Sequence, residues 1–158
     1  MTDSLLPPAP DLAPMCRIVC DVQEVVSLGN AVNGERRYVP LLGGTVSGPE
    51  FNGVVVPGGV DWQVRRHDDV LDIQAHYVLR ADDGSLVEVQ SHGMRHGPAE
   101  VMTRLARGDA VGRHEYFFRT LMRFTTGAPA YLHLNKTMAL AVGSREANRV
   151  VLDVYRVA

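Results

Sequence analysis

Between positions 43 and 62 the chain reads GGTVSGPEFNGVVVPGGVDW. Six of the fifteen glycines and two prolines crowd around one short β-rich run, residues 53–56, and the segment ends on Asp61 beside the only tryptophan, Trp62. Glycine serves where the backbone needs positive φ or close approach, and inside strand patterns it marks bulges and sharp bends. An apolar run bent at both ends, by Gly-Gly and by Pro-Gly-Gly, is what a small curved sheet needs to turn a corner.

The rest of the chain agrees with a β protein. From 16 to 28, Ile18, Cys20, Val22 and Val26 share one face while Arg17, Asp21 and Gln23 take the other, the alternation of a half-buried strand. Further strands are predicted over 36–42, 51–56, 60–66, 70–81, 85–92, 114–124, 136–143 and 149–157, and Pro40 marks an edge or a bulge. Asp82-Asp83-Gly84 is a hairpin turn. One α-helix is predicted over 98–107. Pro98 stands in its first turn, Glu100 near its start, Arg104 and Arg107 near its end, and Gly108 stops it. Its buried stripe is Val101, Met102 and Leu105. Eight to ten short strands, one helix and no βαβ rhythm predict a mainly β, single-domain antiparallel barrel or curved sandwich.

At 158 residues the chain is one domain that buries most of its apolar surface without staples. A net charge of −2 gives no electrostatic case for nucleic acid or an anionic membrane. Cys16 and Cys20 point the same way along one strand, about 13 Å apart by strand rise, too far to bridge. They read as small apolar residues in a reducing compartment. Residues 1–15 form a proline-rich arm with no basic segment and no long apolar stretch, which does not read as a secretory signal. These features point to the cytoplasm, and the domain proper is expected over 16–158.

Several stretches in order, GGTVSGPEFNGVVVPGGVDWQ, LDIQAHYVLRADDGSLVEV, HGPAEVMTRLARG, EYFFRT, AYLHLN and LDVYRV, resemble the DUF3237 (UPF0311) family over nearly the whole chain from Cys16. The resemblance implies a small antiparallel β-barrel of calycin-like shape, oligomeric, in bacteria and fungi, and it brings no established reaction. His76, Thr125 and His133 depart from the family pattern, so no role is carried over to them.

Asp61 leads the candidates for chemistry. A carboxylate beside a large aromatic in a partly dry cavity has its pKa raised by desolvation and becomes a usable general acid or base. The alternative is that it caps the turn through backbone N–H groups. Tyr77 and His76 face opposite ways on one strand, so only one lines the interior. Tyr77, with Ile73, Ala75 and Leu79, is on the less polar face, and His76, with Asp72, Gln74 and Arg80, is on the more polar one. A ligand-holding lumen can take either, so hydropathy alone does not decide. Arg95 can reach the barrel mouth to bind a carboxylate. Tyr116, Phe118, Thr120 and Phe124 share a face opposite Arg119. Arg119 is either an outer residue or, as the family motif favours, an oxyanion anchor. Asn135 either donates to the same oxygen or caps a turn. His92 and His96 lack an HxH or HExxH pattern, and no metal is expected. The chain has no GxSxG elbow, phosphate loop or dinucleotide fingerprint, so no cofactor is expected.

The function expected from these residues is a cofactor-independent enzyme acting on a small polar carbonyl- or lactone-bearing metabolite. Asp61, Arg119 and Asn135 are its expected catalytic residues, and Trp62, Tyr77, Arg95, Tyr116 and Phe124 its substrate-binding residues. The alternative is a barrel that binds a small molecule without changing it. A homo-oligomer, most simply a dimer, is the expected assembly.

Overall fold

The structure, a computed structural model, describes residues 5–158, so the first four residues of the expected arm lie outside it. Ten strands follow in order: β1 (Leu12–Val22), β2 (Val26–Ala31), β3 (Gly34–Ser47), β4 (Gly53–Val55), β5 (Val60–Arg65), β6 (Leu71–Ala81), β7 (Leu86–His96), β8 (Phe117–Thr125), β9 (Met138–Arg145) and β10 (Arg149–Val157). The helix α1 (Ala99–Ala106) sits between β7 and β8, and 3-10 turns cover Arg113–Glu115 and Pro129–Lys136.

All pairings are antiparallel, and they close on themselves. Strand β1 pairs β10, the ladder runs on through β9, β8, β7 and β6, and β3 returns to β1. Between β6 and β3 the wall is shared by β4 and β5 in tandem, while β2 lies outside as a second partner of β3. The result is an eight-stave closed barrel with two additional strands, the barrel rather than the sandwich of the sequence expectation. Closure leaves no free sheet edge around the barrel itself.

The corner shows why glycine is needed. Strand β3 changes neighbours midway, from β2 and β5 to β1 and β4. At the change Gly43 has φ +121°, and a Cβ on Gly44 would overlap the Val19 carbonyl oxygen. The β1–β3 register shifts beside it, between Asp21 and Val22. Pro40, which has no N–H to offer, stands just before this change of partner, and its carbonyl accepts the Gln23 N–H.

Side chains alternate in and out as a barrel requires. Strand β6 places Leu71, Ile73, Tyr77 and Leu79 inside, and β7 places Val87, Val89 and Ser91 there. Strand β8 sends in Phe118, Thr120, Met122 and Phe124. One end is filled: the 3-10 turn Pro129–Lys136 buries Leu134 in the core, and Tyr131 packs on Phe51 with ring centroids 5.2 Å apart. At the other end α1 buries Val101 and Leu105, with Glu100 in its first turn and Arg104 in its last. Between α1 and the rim the interior stays open.

Several boundaries differ from the sequence expectation; β3 runs on to Ser47, β7 to His96 and β9 to Arg145, past their expected ends. Strand β1 begins at Leu12, four residues before the expected domain edge, because Met15 is already in the core at 2 % exposure. The strand expected over 16–28 stops at Val22; Val26 belongs to β2, which is exposed throughout. The strand expected from 114 starts at Phe117, since the Glu115 carboxylate accepts the Gly112 N–H and winds the preceding residues into a turn.

Candidate active site

Asp61 and Gln63 are the inward residues of β5, and they start the site. Gln63 is buried at 4 % exposure. Its Nε2 donates to Asp61 Oδ2 at 2.7 Å, and Arg37 Nε donates to its Oε1 at 2.8 Å. A guanidinium can only donate, so it fixes the amide oxygen toward β3 and leaves the amide nitrogen to face the acid. Arg37, Gln63 and Asp61 therefore form one directed chain. The second carboxylate oxygen, Asp61 Oδ1, is fully buried and has no protein partner.

Burial pushes the Asp61 carboxyl up to about 6 from an ordinary 3.8. The Gln63 hydrogen bond and the positive charges of Arg95, Arg145 and Arg37 pull it back, but desolvation outweighs them. A carboxyl poised there exchanges protons readily near neutral pH.

Two cavities meet at this point. The inner one, about 50 Å³, is lined by Asp61, Gln63, Tyr77, Ser91 and Thr120 among apolar neighbours. The outer one, about 680 Å³, lies between α1 and the rim and includes Arg37, Leu71, Met102 and Leu105. Arg95 and Arg145 line both and form the throat. The hydroxyl oxygens of Tyr77 and Thr120 and the Nε of Arg95 are buried without a protein partner, as is Asp61 Oδ1. Buried polar groups in native proteins nearly always find partners, so four such atoms around one cavity are the mark of a place built for something polar.

The throat arginines are set by their neighbours. Arg95 is the last inward residue of β7, and its guanidinium lies 5.6 Å from the Phe118 ring centre. That ring rests on Gly143, where an added Cβ would come within 2.6 Å of it. Inward positions of β9 are accordingly small, Ala139, Ala141 and Gly143, until Arg145 at its end. The Arg145 N–H donates to the Tyr116 hydroxyl at 2.9 Å. Burial, then repulsion from Arg145 and Arg37, lowers the Arg95 pKa to about 10. Burial also lowers those of Arg145 and Arg37.

The residues expected from sequence divide. Asp61, Tyr77 and Arg95 come together, and Tyr116 supports the throat through Arg145. Phe124 is inward but lines neither cavity, lying on β8 toward the filled end. Trp62 points outward, because it neighbours the inward Asp61 on β5; it packs on Tyr38 at 5.1 Å under the Arg36 guanidinium. Arg119 is also outside, 5.3 Å from the Phe117 ring and donating to the Phe118 carbonyl. The aromatic face of β8 takes the interior and leaves Arg119 no inward path. Asn135 clasps the Thr126 backbone, accepting its N–H at 2.8 Å and donating to its carbonyl at 2.9 Å.

Arg37, Gln63, Ser91, Thr120 and Arg145 are the lining residues not expected from sequence. Their signal is parity: Gln63 is two after Asp61, Arg37 two before the inward Val39, and Arg145 two after Gly143. His76 is outside, bonded to Glu88 at 2.8 Å, and His96 stacks on Phe117. Among the described residues no three His, Cys, Asp or Glu side chains gather as metal ligands, and no helix is long and apolar enough to cross a membrane.

Comparison with known proteins places the chain and its fold. The sequence profile of a family described as "Protein of unknown function (DUF3237)" matches residues 10–157. A UPF0311 protein of Rhodopseudomonas palustris is 39% identical over 140 residues, 89% of this chain and 92% of the relative. A crystal structure of a conserved protein of unknown function from Rhodopseudomonas palustris superposes with TM-score 0.92 at 36% identity, covering 96% of this chain and all of the other. A β-barrel-like protein from Acinetobacter baumannii gives 0.84 at 34%, covering 98% of this chain and all of the other. An enzyme from Penicillium herquei shares the fold at 20% identity and TM-score 0.73, covering 97% of this chain and 98% of the other.

Proposed function

The chain belongs to the DUF3237 family, and on that premise we propose that it is an enzyme transferring protons on a small carbonyl-bearing metabolite with its own side chains. The observation that carries this reading is Asp61. One of its oxygens is fixed by Gln63, the other is buried and free, and its carboxyl titrates near 6. As the carboxylate, Asp61 takes a proton from the carbon next to the substrate carbonyl. The electron pair left behind moves onto the carbonyl oxygen, where the Tyr77 or Thr120 hydroxyl donates to the developing charge and the positive throat favours it. The acid so formed returns its proton to another atom of the same molecule, which completes an isomerisation. The described enzyme from Penicillium herquei supports the class, since a barrel of this shape serves catalysis there.

The test is deuterium uptake in D2O, followed by proton NMR. A panel of small ketones, diketones and lactones is incubated with the protein. At least one C–H next to a carbonyl should exchange faster with protein than in buffer, and Asp61→Asn should slow that exchange about 100-fold or more while ligand binding persists. A ligand that binds while its C–H never exchanges would sink the catalytic reading. That outcome would leave the second reading, a binding barrel, which the apolar lining of the inner cavity by Ile18, Leu41, Ile73 and Phe118 favours.

A further inference from the structure

Building on that reading of the site, we propose that the ligand is an amphipathic carboxylate, with its anionic group held between Arg95 and Arg145 and its apolar body in the outer cavity against α1. The charges at the throat do not balance without it. Arg37 is engaged by Gln63 at 2.8 Å and by Glu35 at 3.7 Å. Arg65 has Asp69 at 3.6 Å, Asp68 is taken up by Arg66, and Glu146 is paired with Arg149. Among the described residues Arg95 and Arg145 make no side-chain ion pair, and Arg95 Nε is buried without a partner. Two unpaired guanidiniums less the one carboxylate of Asp61 leave one positive charge. Holding like charges together out of water is costly, and a single monoanion neutralises the excess.

The shape of that monoanion follows from the donors. Planar guanidiniums grip a planar carboxylate through paired N–H···O bonds. Size and polarity then say what else the ligand carries. The inner cavity of about 50 Å³ admits only a few atoms, and the outer one of about 680 Å³ is of ordinary ligand-binding size. Leu71, Met102 and Leu105 line the outer one. A bare small anion would fill the throat and leave these walls untouched, whereas an aromatic or alkyl body buries them.

Calorimetry on the full chain at about pH 7.5 and low salt tests this with five probes: phenylpropanoate, phenylpropanamide, propanoate, phenyl phosphate and inorganic phosphate. Phenylpropanoate should bind about tenfold or more tightly than the neutral amide, and more tightly than propanoate. Arg145→Gln and Arg95→Gln should each bring the acid-to-amide ratio close to one. Met102→Ala should weaken phenylpropanoate and spare propanoate. The proposal is overturned if the amide binds as well as the acid, if both arginine variants keep the ratio, if either phosphate binds tightest, or if no carboxylate binds at millimolar concentration. Loss of carboxylate preference with Asp61-dependent exchange intact would refute this ligand class alone. Carboxylate binding without any exchange would refute proton transfer alone.

Discussion

Replacing Asp61 with Asn removes one ionisation and almost no volume, so its effect on stability can be worked from the site. The folded protein holds the Asp61 proton up to about pH 6, whereas the unfolded chain releases it near 3.8. Between those values the folded state binds more protons, so stability falls as pH rises. The contribution is fully present below 3.8 and is lost by the time pH passes 6. A gap of about 2 units at about 1.4 kcal/mol each is about 3 kcal/mol. At pH 7.5 the wild type carries that penalty and the Asn variant does not, while the Asn oxygen still accepts the Gln63 N–H. Asp61→Asn should therefore be more stable at pH 7.5 by up to about 3 kcal/mol, a rise in Tm of about 6–12 °C for a domain of this size. At pH 4 the two proteins should melt together. Calorimetric scans across pH 4–8 read the difference directly. A variant that melts lower than wild type at pH 7.5 would mean that the arginines outweigh desolvation, and the reasoning about Asp61 would fail.

Four further outcomes follow from the same geometry. Gln63→Leu removes the hydrogen bond that lowers the Asp61 pKa, so the pH midpoint of deuterium uptake should move upward from about 6; an unchanged midpoint counts against the Arg37–Gln63–Asp61 chain. Gly143→Val forces the Phe118 ring away, which should cost about 1–3 kcal/mol in urea unfolding and weaken carboxylate binding through Arg95; tight binding in this variant would contradict the stacked throat. Leu134→Ala opens a cavity at the filled end and should cost about 2–5 kcal/mol without moving the Asp61 midpoint. Arg119→Ala should leave exchange within about twofold of wild type, since Arg119 is outside, and a large loss would return it to the site.

Much of this fold can be read from the chain because its signals are local. Alternation along 70–81 groups Tyr77 with Leu79 on the less polar face, which the structure turns to the interior, and Asp82-Asp83-Gly84 sets the hairpin that follows. The crowd of glycines around 43–59 announces a corner because no other residue tolerates Gly43's φ or Gly44's contact with Val19. Asp61 is legible for the same reason, as the first acid after that bend. What sequence conceals is direction across the barrel. Parity says that Arg119 opposes Phe118 and Thr120, and that aromatic face belongs to the core, so the motif around Arg119 misleads about its role. Asp61 and Trp62 are adjacent and therefore opposed, so they cannot share a cavity wall. Arg37 and Arg145 lie on core faces by the same parity, but a charged residue there makes sense only at the open rim. Which end is open depends on α1 and the Pro129–Lys136 turn, whose docking is a tertiary matter. Asn135 reads as a donor until the Thr126 backbone is beside it.

The account rests on an inward carboxyl whose burial outweighs three nearby arginines. Carbon-13 NMR titration of the Asp61 side chain, assigned by difference with Asp61→Asn, measures it most directly. A midpoint near pH 6 is predicted, and a midpoint at or below the ordinary carboxylate value would contradict the acid–base assignment.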